Sequence, residues 1–248
     1  MQGTEFRPGD HVRWFANKRG WGLAENIVIV EGESDQKYFE LANKIYFKKT
    51  KKNLISNRFT IVPVGIGIDG GANNIASIFP IFRSLVDDDT TPEGVKVYHT
   101  IALLDSDPKG KQTYRALTGR HTNYRENRDI FLLHRSLPRN TRDFNQLSQS
   151  IAQANSEWRQ LDCEIEDLIN IDLLESFISE NDNCVVCRKS NERGVHHIKF
   201  KNYAKAPLFR YVEKMAIYED LTSMIEVLRA LRYFVGLNDE GETLRGGD

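Results

Sequence analysis

The chain has 248 residues, of which 40% are hydrophobic and 28% are charged, and its formal net charge is −1. This length and composition predict one sizeable folded domain, or one domain with a small additional lobe. No apolar run approaches the roughly 18 residues of a membrane span, and residues 1–15 lack the hydrophobic segment of a secretion signal. The three cysteines do not suggest a disulfide framework. We therefore expect a cytoplasmic protein without membrane association.

Cationic residues are unevenly distributed, although the net charge predicts no general basic surface. Residues 48–52 read KKTKK, and arginines recur at positions 115, 120, 125, 128, 135, 139 and 142. Six more cations precede the last predicted helix: Arg188, Lys189, Arg193, Lys199, Lys201 and Lys205. Any one such run is more often a solvated face than a binding surface, so charge alone does not identify a partner.

The N-terminal part of the chain predicts a short lead-in followed by a strand and a helix. Residues 1–26 carry glycine and proline among aromatic residues and predict an extended segment. The apolar run at 27–31 predicts a buried strand, and the spacing of apolar residues over 34–48 predicts a helix. Ser34 or Asp35 is the candidate cap of this helix.

The middle of the chain continues the alternation of strands and helices. Strands are predicted at 59–64, 95–104 and 131–134, and a helix over 73–85 follows a glycine-rich turn. This alternation predicts an α/β fold, in which a mainly parallel central sheet is flanked by helices.

The C-terminal part is predicted to be helical. A helix is expected near 146–160, an apolar and acidic segment covers 161–178, and a broad apolar stripe predicts one long helix over 208–235. The resulting organisation is a lead-in at 1–26, a core at 27–178, a basic loop with a C-terminal helical extension at 179–237, and a disordered tail at 238–248.

Two of the predicted strands end abruptly in carboxylates. Glu31 ends the first strand, and Asp105 and Asp107 end the third. The carboxyl ends of parallel strands lie at one edge of a sheet, and a helix beginning promptly would return Asp35 beside Glu31. Such carboxylates repel one another unless a cation lies among them, and oxygen ligands favour Mg²⁺ or Mn²⁺. The alternative is a solvated strand end followed by an ordinary capping aspartate.

A third acidic group lies further along the chain. Glu164 and Glu166 alternate as Asp105 and Asp107 do, and they could supply a second set of metal ligands. Two neighbouring ions are a common device for phosphodiester cleavage. The alternative is a helix N-terminus that is rich in acidic residues.

Two other motifs support different chemistry. Residues 65–70 fit the dinucleotide pattern G-x-G-x-x-G, but they follow the second strand, and Asp69 would lie close to a pyrophosphate. A flexible loop at the rim of the site explains these glycines as well, and no P-loop motif occurs. Two cysteines and two histidines lie close together in the sequence: Cys184, Cys187, His196 and His197. They could form a structural zinc site, although the adjacent histidines depart from the usual zinc spacing, or they could be ordinary loop residues.

The order of three motifs resembles that of the Toprim domain, the metal-binding fold of topoisomerases, primases and several nucleases. The matching segments are VEGESD at 30–35, VPVGIGIDGGANN at 62–74 and LLDSD at 103–107. Within that superfamily the chain is most similar to the OLD-type nucleases (overcoming lysogenization defect). These add an acidic E-x-E element, matched by Glu164-Ile-Glu166, and a downstream lysine, matched by Lys205. The resemblance covers about residues 27–220.

The resemblance implies roles for individual residues. Glu31, Asp105 and Lys205 would be catalytic, and Lys205 would stabilise charge on the scissile phosphate, with Lys199, Lys201 and Lys214 as competitors for that role. The implied metal ligands are Glu31, Asp35, Asp105, Asp107, Glu164 and Glu166. The basic residues expected to contact nucleic acid are Lys109, Lys111, Lys199 and Lys201.

The function implied is a divalent-metal-dependent endonuclease that cleaves DNA or structured RNA by a two-metal mechanism. OLD proteins also carry an ATPase domain that these residues do not match, so the resemblance implies either a stand-alone nuclease or one subunit of a pair with a separate ABC- or SMC-like ATPase. Such pairs are typical of antiphage defence, which is the role that the resemblance implies. Two alternatives stay open: a primase-like nucleotidyl transferase, and a non-catalytic module that binds nucleic acid or a protein partner. Residues 1–26 and the last predicted helix are candidate surfaces for a partner or for homo-oligomer formation.

Overall fold

The computed structural model describes residues 7–65, 71–119, 123–191 and 196–243. Its eight strands are β1 (Asn26–Val30), β2 (Lys52–Asn53), β3 (Phe59–Pro63), β4 (His99–Leu104), β5 (Ile130–Leu132), β6 (Val185–Ser190), β7 (His196–Phe200) and β8 (Glu242–Thr243). Its eight α-helices are α1 (Asp10–Lys18), α2 (Glu33–Thr50), α3 (Ala72–Asp88), α4 (Pro108–Leu117), α5 (Phe144–Ala154), α6 (Ile171–Glu180), α7 (Asn202–Met215) and α8 (Thr222–Phe234).

The centre of the fold is a four-stranded parallel sheet with the strand order β3-β1-β4-β5. Val28 of β1 lies opposite Ile61 of β3 on one side and Ile101 of β4 on the other. All five residues of β1 are buried because both faces of the sheet are covered, which explains the uninterrupted apolar run in the sequence. The predicted α/β fold with a mainly parallel sheet is confirmed.

Two hydrophobic cores lie on opposite faces of this sheet. Val28 and Ile101 point into a core with α2 and the helices from α5 to α8, whereas Ile29 and Ala102 point into a core with α1, α3 and α4. Successive residues of a strand face opposite sides, so each central strand contributes to both cores. The connection through α2 and the connection through α3 therefore lie on opposite faces. Between them, at the carboxyl ends of β1 and β4, the strand order reverses and leaves room for a site.

Within the described part of the N-terminal lead-in, Asp10–Lys18 form the helix α1, so the prediction of an extended segment was wrong there. Val12 and Ala16 of α1 are fully buried in the core against α3. The backbone N–H of Val12 donates to Asp89 Oδ2 over 3.1 Å, and the indole N–H of Trp21 donates to the Pro63 carbonyl over 2.8 Å. Apolar residues at helical spacing are present in α1, but the surrounding glycine and proline residues obscured them.

The C-terminal half differs from its prediction in three places. The long helix predicted over 208–235 is two helices, α7 and α8, because the chain turns at 216–221, where the Ile217 N–H donates to Asp220 Oδ2 over 2.9 Å. The basic loop contains the antiparallel hairpin β6–β7. Within the tail predicted to be disordered, β8 pairs antiparallel with β2. No helix in the described ranges is long and apolar enough to cross a membrane.

Candidate functional site

The sheet brings Glu31 and Asp105 together at its carboxyl edge. Glu31 follows β1 and Asp105 follows the neighbouring β4, and Glu31 Oε1 accepts a hydrogen bond from the Asp105 backbone N–H over 3.0 Å. Burial raises the pKa of Glu31 to about 7 in spite of this hydrogen bond, and the charge of Asp107 adds to the rise. Both side chains keep partial exposure, so a small ion from solvent can reach them.

Asp35 joins this pair from the first turn of α2. Its Oδ2 accepts a hydrogen bond from the Gly32 backbone N–H over 3.0 Å, so it caps the helix that begins after Gly32. Gly32 itself occupies the N-cap position, for which the sequence offered Ser34 or Asp35. Burial, and then the charges of Glu31 and Glu166, raise the pKa of Asp35 to about 7. The carboxylate therefore caps the helix and also belongs to the acidic cluster.

Asp105 lies deeper in the cluster than Asp107. Burial raises the pKa of Asp105 well above its ordinary value, and the charges of Asp35, Glu31 and Glu166 act in the same direction. Asp107 is the N-cap of α4, where its Oδ1 accepts from the Gly110 N–H over 2.7 Å. Helix capping accounts for this hydrogen bond, but the Asp107 charge still contributes to the raised pKa of Glu31.

Glu164 and Glu166 enter the cluster from a 3₁₀ turn over Ile165–Leu168. Glu164 Oε1 lies 2.9 Å from Lys199 Nζ, and Oε2 lies 3.3 Å from Lys205 Nζ. Burial by itself would raise the pKa of Glu164, but Lys205 and Lys199 outweigh it and hold the pKa below its usual range.

Glu166 has the least satisfied carboxylate of the cluster. Its side chain is 2% exposed, and neither oxygen accepts a hydrogen bond from a described residue. Lys205 Nζ lies 3.1 Å from Oε1, an ion-pair distance without hydrogen-bond geometry. Burial opposes the charge of Lys205, but Glu166 and Glu164 nevertheless raise the pKa of Lys205 well above its ordinary value. This lysine is therefore held as a cation between two buried carboxylates.

The 3₁₀ turn is fixed by Asp167, which sequence reasoning did not assign to the site. Asp167 Oδ2 accepts from the Glu164 N–H over 2.8 Å and lies 2.7 Å from His197 Nδ1, while Oδ1 lies 3.0 Å from Arg135 Nη2. The hydrogen bond with Asp167 raises the pKa of His197. Tyr38 was also missed: its buried hydroxyl has no hydrogen-bond partner in the described ranges, and Glu166 and Asp35 act with burial to raise its pKa.

The cluster holds more carboxyl groups than cations. Glu31, Asp35, Asp105, Glu164 and Glu166 are five carboxylates, whereas Lys199 and Lys205 are the two lysines paired with them. An excess of oxygen ligands, including the two buried oxygens of Glu166 that accept no hydrogen bond from a described residue, fits the chemistry of a hard divalent cation. In the ranges that the structure describes, no three His, Cys, Asp or Glu side chains are already arranged around one ion position.

The predicted lysines occupy different places around this cluster. Lys205 contacts both Glu164 and Glu166, and Lys199 contacts Glu164. Lys201 instead donates to Asn183 Oδ1 over 2.6 Å, and Lys111 pairs with Asp162 at 3.0 Å. The exposed Lys109 lies at the rim, where its charge acts on Glu31, and Lys214 lies in the last turn of α7.

The glycine-rich segment meets the site at its far end. Residues 66–70, including Gly67, Asp69 and Gly70, lie outside the described residues. Gly71, which has a φ of 122°, donates its backbone N–H to the Glu31 carbonyl over 3.0 Å. This contact brings the end of the segment to the rim of the acidic cluster.

The cysteine and histidine group is not assembled as a zinc site by the side chains described. Cys184 is buried in the hydrophobic core on the α2 face, and the His197 ring is committed to Asp167. Cys187 lies opposite Lys199 in the β6–β7 hairpin. The side chain of His196 lies outside the described part of the structure. These residues lie in or beside the β6–β7 hairpin, one face of which packs on the core. The spacing of cysteines and histidines in the sequence does not indicate this packing.

Comparison of the chain with models of known protein families, with curated proteins and with solved structures found no match.

Proposed function

We propose that this chain is a divalent-metal-dependent nuclease with a Toprim domain of the OLD type. The observation that carries the proposal is the convergence of Glu31, Asp35, Asp105 and Glu166 from three separate segments onto one edge of the sheet. Buried carboxylates with perturbed pKa values are concentrated at functional sites, and gathering them costs stability, so this convergence supports a site that uses their charge.

The carboxylates Glu31, Asp35, Asp105, Glu164 and Glu166 would hold Mg²⁺ or Mn²⁺, with Asp107 at the edge of the site. A bound divalent ion supplies an activated water and neutralises charge on a phosphate. Lys205, held as a cation beside Glu166, would act on the charge that develops on the scissile phosphate. As metal ligands Glu31 and Asp35 would be deprotonated, because a bound cation favours their charged form against the burial that raises their pKa values to about 7.

The substrate class is a phosphodiester in DNA or structured RNA. The similarity to OLD nucleases supports a cytoplasmic role in defence against phage, together with a separate ATPase subunit. Lys109 at the rim, adjacent to Glu31, supports contact with the backbone of a nucleic acid.

The direct test is cleavage of supercoiled plasmid, linear duplex, single-stranded DNA and bulk tRNA with Mg²⁺ or Mn²⁺. Glu31→Gln should abolish cleavage because it removes a ligand charge, while its amide oxygen can still accept the Asp105 hydrogen bond. Glu33→Gln is the matched control, because Glu33 lies two residues away on the surface and pairs with Lys37 at 3.3 Å. Equal cleavage by wild type and Glu31→Gln would overturn the proposal.

Two further measurements separate the alternatives. Template-dependent incorporation of labelled nucleotide would identify a primase-like transferase that uses the same carboxylates. Calorimetric titration should show that the wild type and Glu33→Gln bind Mn²⁺ with the same affinity. The affinity of Glu31→Gln for Mn²⁺ should be at least tenfold lower. Absence of Mn²⁺ binding to the wild type would leave a non-catalytic module.

A further inference from the structure

A cavity of about 570 Å³ lies next to the acidic cluster and is not used by the function proposed above. It opens between α4, the segment after β5, and the chain from α5 to the E-x-E turn. Its volume lies within the range of small-molecule sites in proteins. The cavity is therefore large enough to hold one nucleotide.

The inner wall of this cavity is aromatic and aliphatic. Tyr114 of α4 and Trp158 face it, together with Leu132, Ile151 and Leu161. The indole N–H of Trp158 is buried without an acceptor in the described ranges. Buried donors are usually paired, so this one is left for an acceptor that a ligand would bring. A flat heteroaromatic ring can stack on the face of the indole, whereas its in-plane N–H would need an acceptor on another part of the same ligand.

The mouth of the cavity is basic. Arg115 and Arg159 line it, are exposed, and form no ion pair with a described residue. The acidic lining residues do not cancel this charge completely: Asp162 is already paired with Lys111 and Lys189, and the other acidic residue is Glu126. Two unpaired guanidinium groups beside an apolar interior suit a ligand with an anionic group on an aromatic body.

The imidazole of His134, which lines the cavity, is neutral at physiological pH. His134 follows β5, and burial, with the charge of Lys111 added, lowers its pKa to about 4. A neutral imidazole offers one donor and one acceptor, which matches the edge of a nucleobase better than an imidazolium does.

The cavity shares a wall with the acidic cluster. Ser106 lies between Asp105 and Asp107, Cys163 precedes Glu164, and both residues line the cavity. The Ser106 N–H donates to the Cys163 carbonyl over 2.8 Å, which joins the two acidic segments at this wall. A ligand in the cavity therefore lies on the other side of the loop that carries the carboxylates.

We infer that this cavity binds a single nucleotide, with its base stacked on Trp158 and its phosphate at Arg115 and Arg159. The inference rests on the proposed function, because it makes this nucleotide a neighbour of the phosphodiester that the acidic cluster would cleave. It predicts that the substrate is single-stranded, or is opened at the cleavage site, since a paired base cannot enter the cavity.

The test measures binding without metal, so that it does not depend on cleavage. Fluorescence anisotropy in EDTA follows the binding of labelled tetranucleotides of DNA and RNA, with free AMP, CMP, GMP and UMP as competitors. Trp158→Leu should weaken binding about tenfold because it removes the stacking surface, and Arg159→Gln should weaken it about threefold. The matched controls are Trp14→Leu on α1, where Trp14 is 64% exposed, and Arg58→Gln, where Arg58 pairs with Glu25 on the surface.

Each outcome decides the inference. Weaker tetranucleotide binding by both cavity variants, with unchanged binding by the two controls, supports the inference. Competition by mononucleotides then shows whether the cavity binds a free nucleotide or a nucleotide within a strand. Wild-type affinity in both cavity variants, or no binding by the wild type, overturns it. Arg159→Gln changes an exposed side chain, so its result does not depend on how Trp158→Leu affects folding. Nucleotide binding with cleavage unchanged in Glu31→Gln would retain the cavity and remove the proposed nuclease.

Discussion

Glu166 shows how the candidate site differs from an ordinary charged surface. Its carboxylate is almost completely buried, and a single ion-pair contact to Lys205 is all that the described residues offer it. Removing a carboxylate from water without hydrogen bonds costs free energy of folding. Glu164, two residues earlier on the same 3₁₀ turn, contacts two lysines. The turn itself therefore does not prevent a carboxylate from finding cationic partners. The unsatisfied oxygens therefore indicate a role that depends on a ligand.

His134 provides a prediction for the pH dependence of stability. As pH falls below about 6.5 the imidazole of the unfolded chain takes up a proton, whereas the folded protein resists protonation until about pH 4. The folded state therefore loses stability as pH falls through this window. We expect the loss in unfolding free energy between pH 7 and pH 5 to be about 1 kcal/mol smaller in His134→Gln, after allowance for the partial exposure of the ring.

Urea denaturation at the two pH values measures this difference. His11→Gln is the control, because His11 is 54% exposed on α1 and lies outside the cavity. The prediction fails if His134→Gln loses as much stability as the wild type on acidification.

At the scale of elements, α4 must approach the Asp105 loop very closely. A Cβ atom on Gly110 would lie 2.0 Å from the Asp105 carbonyl oxygen, so no other residue fits there without moving the helix or the loop. We expect Gly110→Ala to lower the unfolding free energy by about 2 kcal/mol, as overpacking does. It should also weaken Mn²⁺ binding because it displaces Asp105.

Denaturation and metal titration of the same protein check both parts of this prediction. Gly22→Ala is the control, since a Cβ at Gly22 meets no atom within 4 Å. Wild-type metal affinity in Gly110→Ala would show that the position of Asp105 does not matter for binding.

The C-terminal strand is the other element with a specific consequence. Arg232 of α8 is fully buried and donates to the carbonyls of Leu54 and Asn238 and to the Glu242 carboxylate. Truncation after Leu237 would remove two of these acceptors and leave a buried cation. We expect residues 1–237 to unfold with a free energy about 3 kcal/mol lower than residues 1–243. Equal denaturation midpoints for the two lengths would contradict this.

At the scale of the whole molecule, metal binding should be coupled to folding. A ligand that binds only the folded state adds about 2.7 kcal/mol to the unfolding free energy at one hundred times its dissociation constant. We expect Mn²⁺ to raise the thermal midpoint of the wild type accordingly and that of Glu31→Gln by clearly less, because its affinity for Mn²⁺ is expected to be at least tenfold lower. In EDTA the Glu31→Gln protein should be at least as stable as the wild type, because one carboxylate is removed from a repulsive cluster. Scanning calorimetry with and without Mn²⁺ measures both effects, and an equal rise in the two proteins would contradict the coupling.

The central sheet was predictable from sequence because its strands are buried on both faces. The runs at 27–31 and 59–64 match β1 and β3 closely, and acidic residues directly after β1 and β4 indicated which ends would meet. The proximity of Glu31 and Asp105 follows from this parallel arrangement.

Other parts of the fold depend on contacts between distant segments. The apolar stripe of α7 continues into α8, so the break at 216–221 had no periodicity signal. The ordering of β8 depends on a buried arginine and on β2, which are separated from it in sequence. The partnership of Asp167 with His197 and Arg135 likewise arises only after the β6–β7 hairpin packs.

The single hydrogen bond between Ser106 and Cys163 has a consequence for how the two halves of this region communicate. It fastens the strand end that carries Asp105 to the turn that carries Glu166, and the same two residues form one wall of the neighbouring cavity. The hydrogen bond therefore ties the position of one acidic segment to that of the other. If the cavity takes the ligand inferred above, we expect a displacement of this wall to change the distances between the carboxylates behind it, so that occupancy of the cavity and metal binding influence each other.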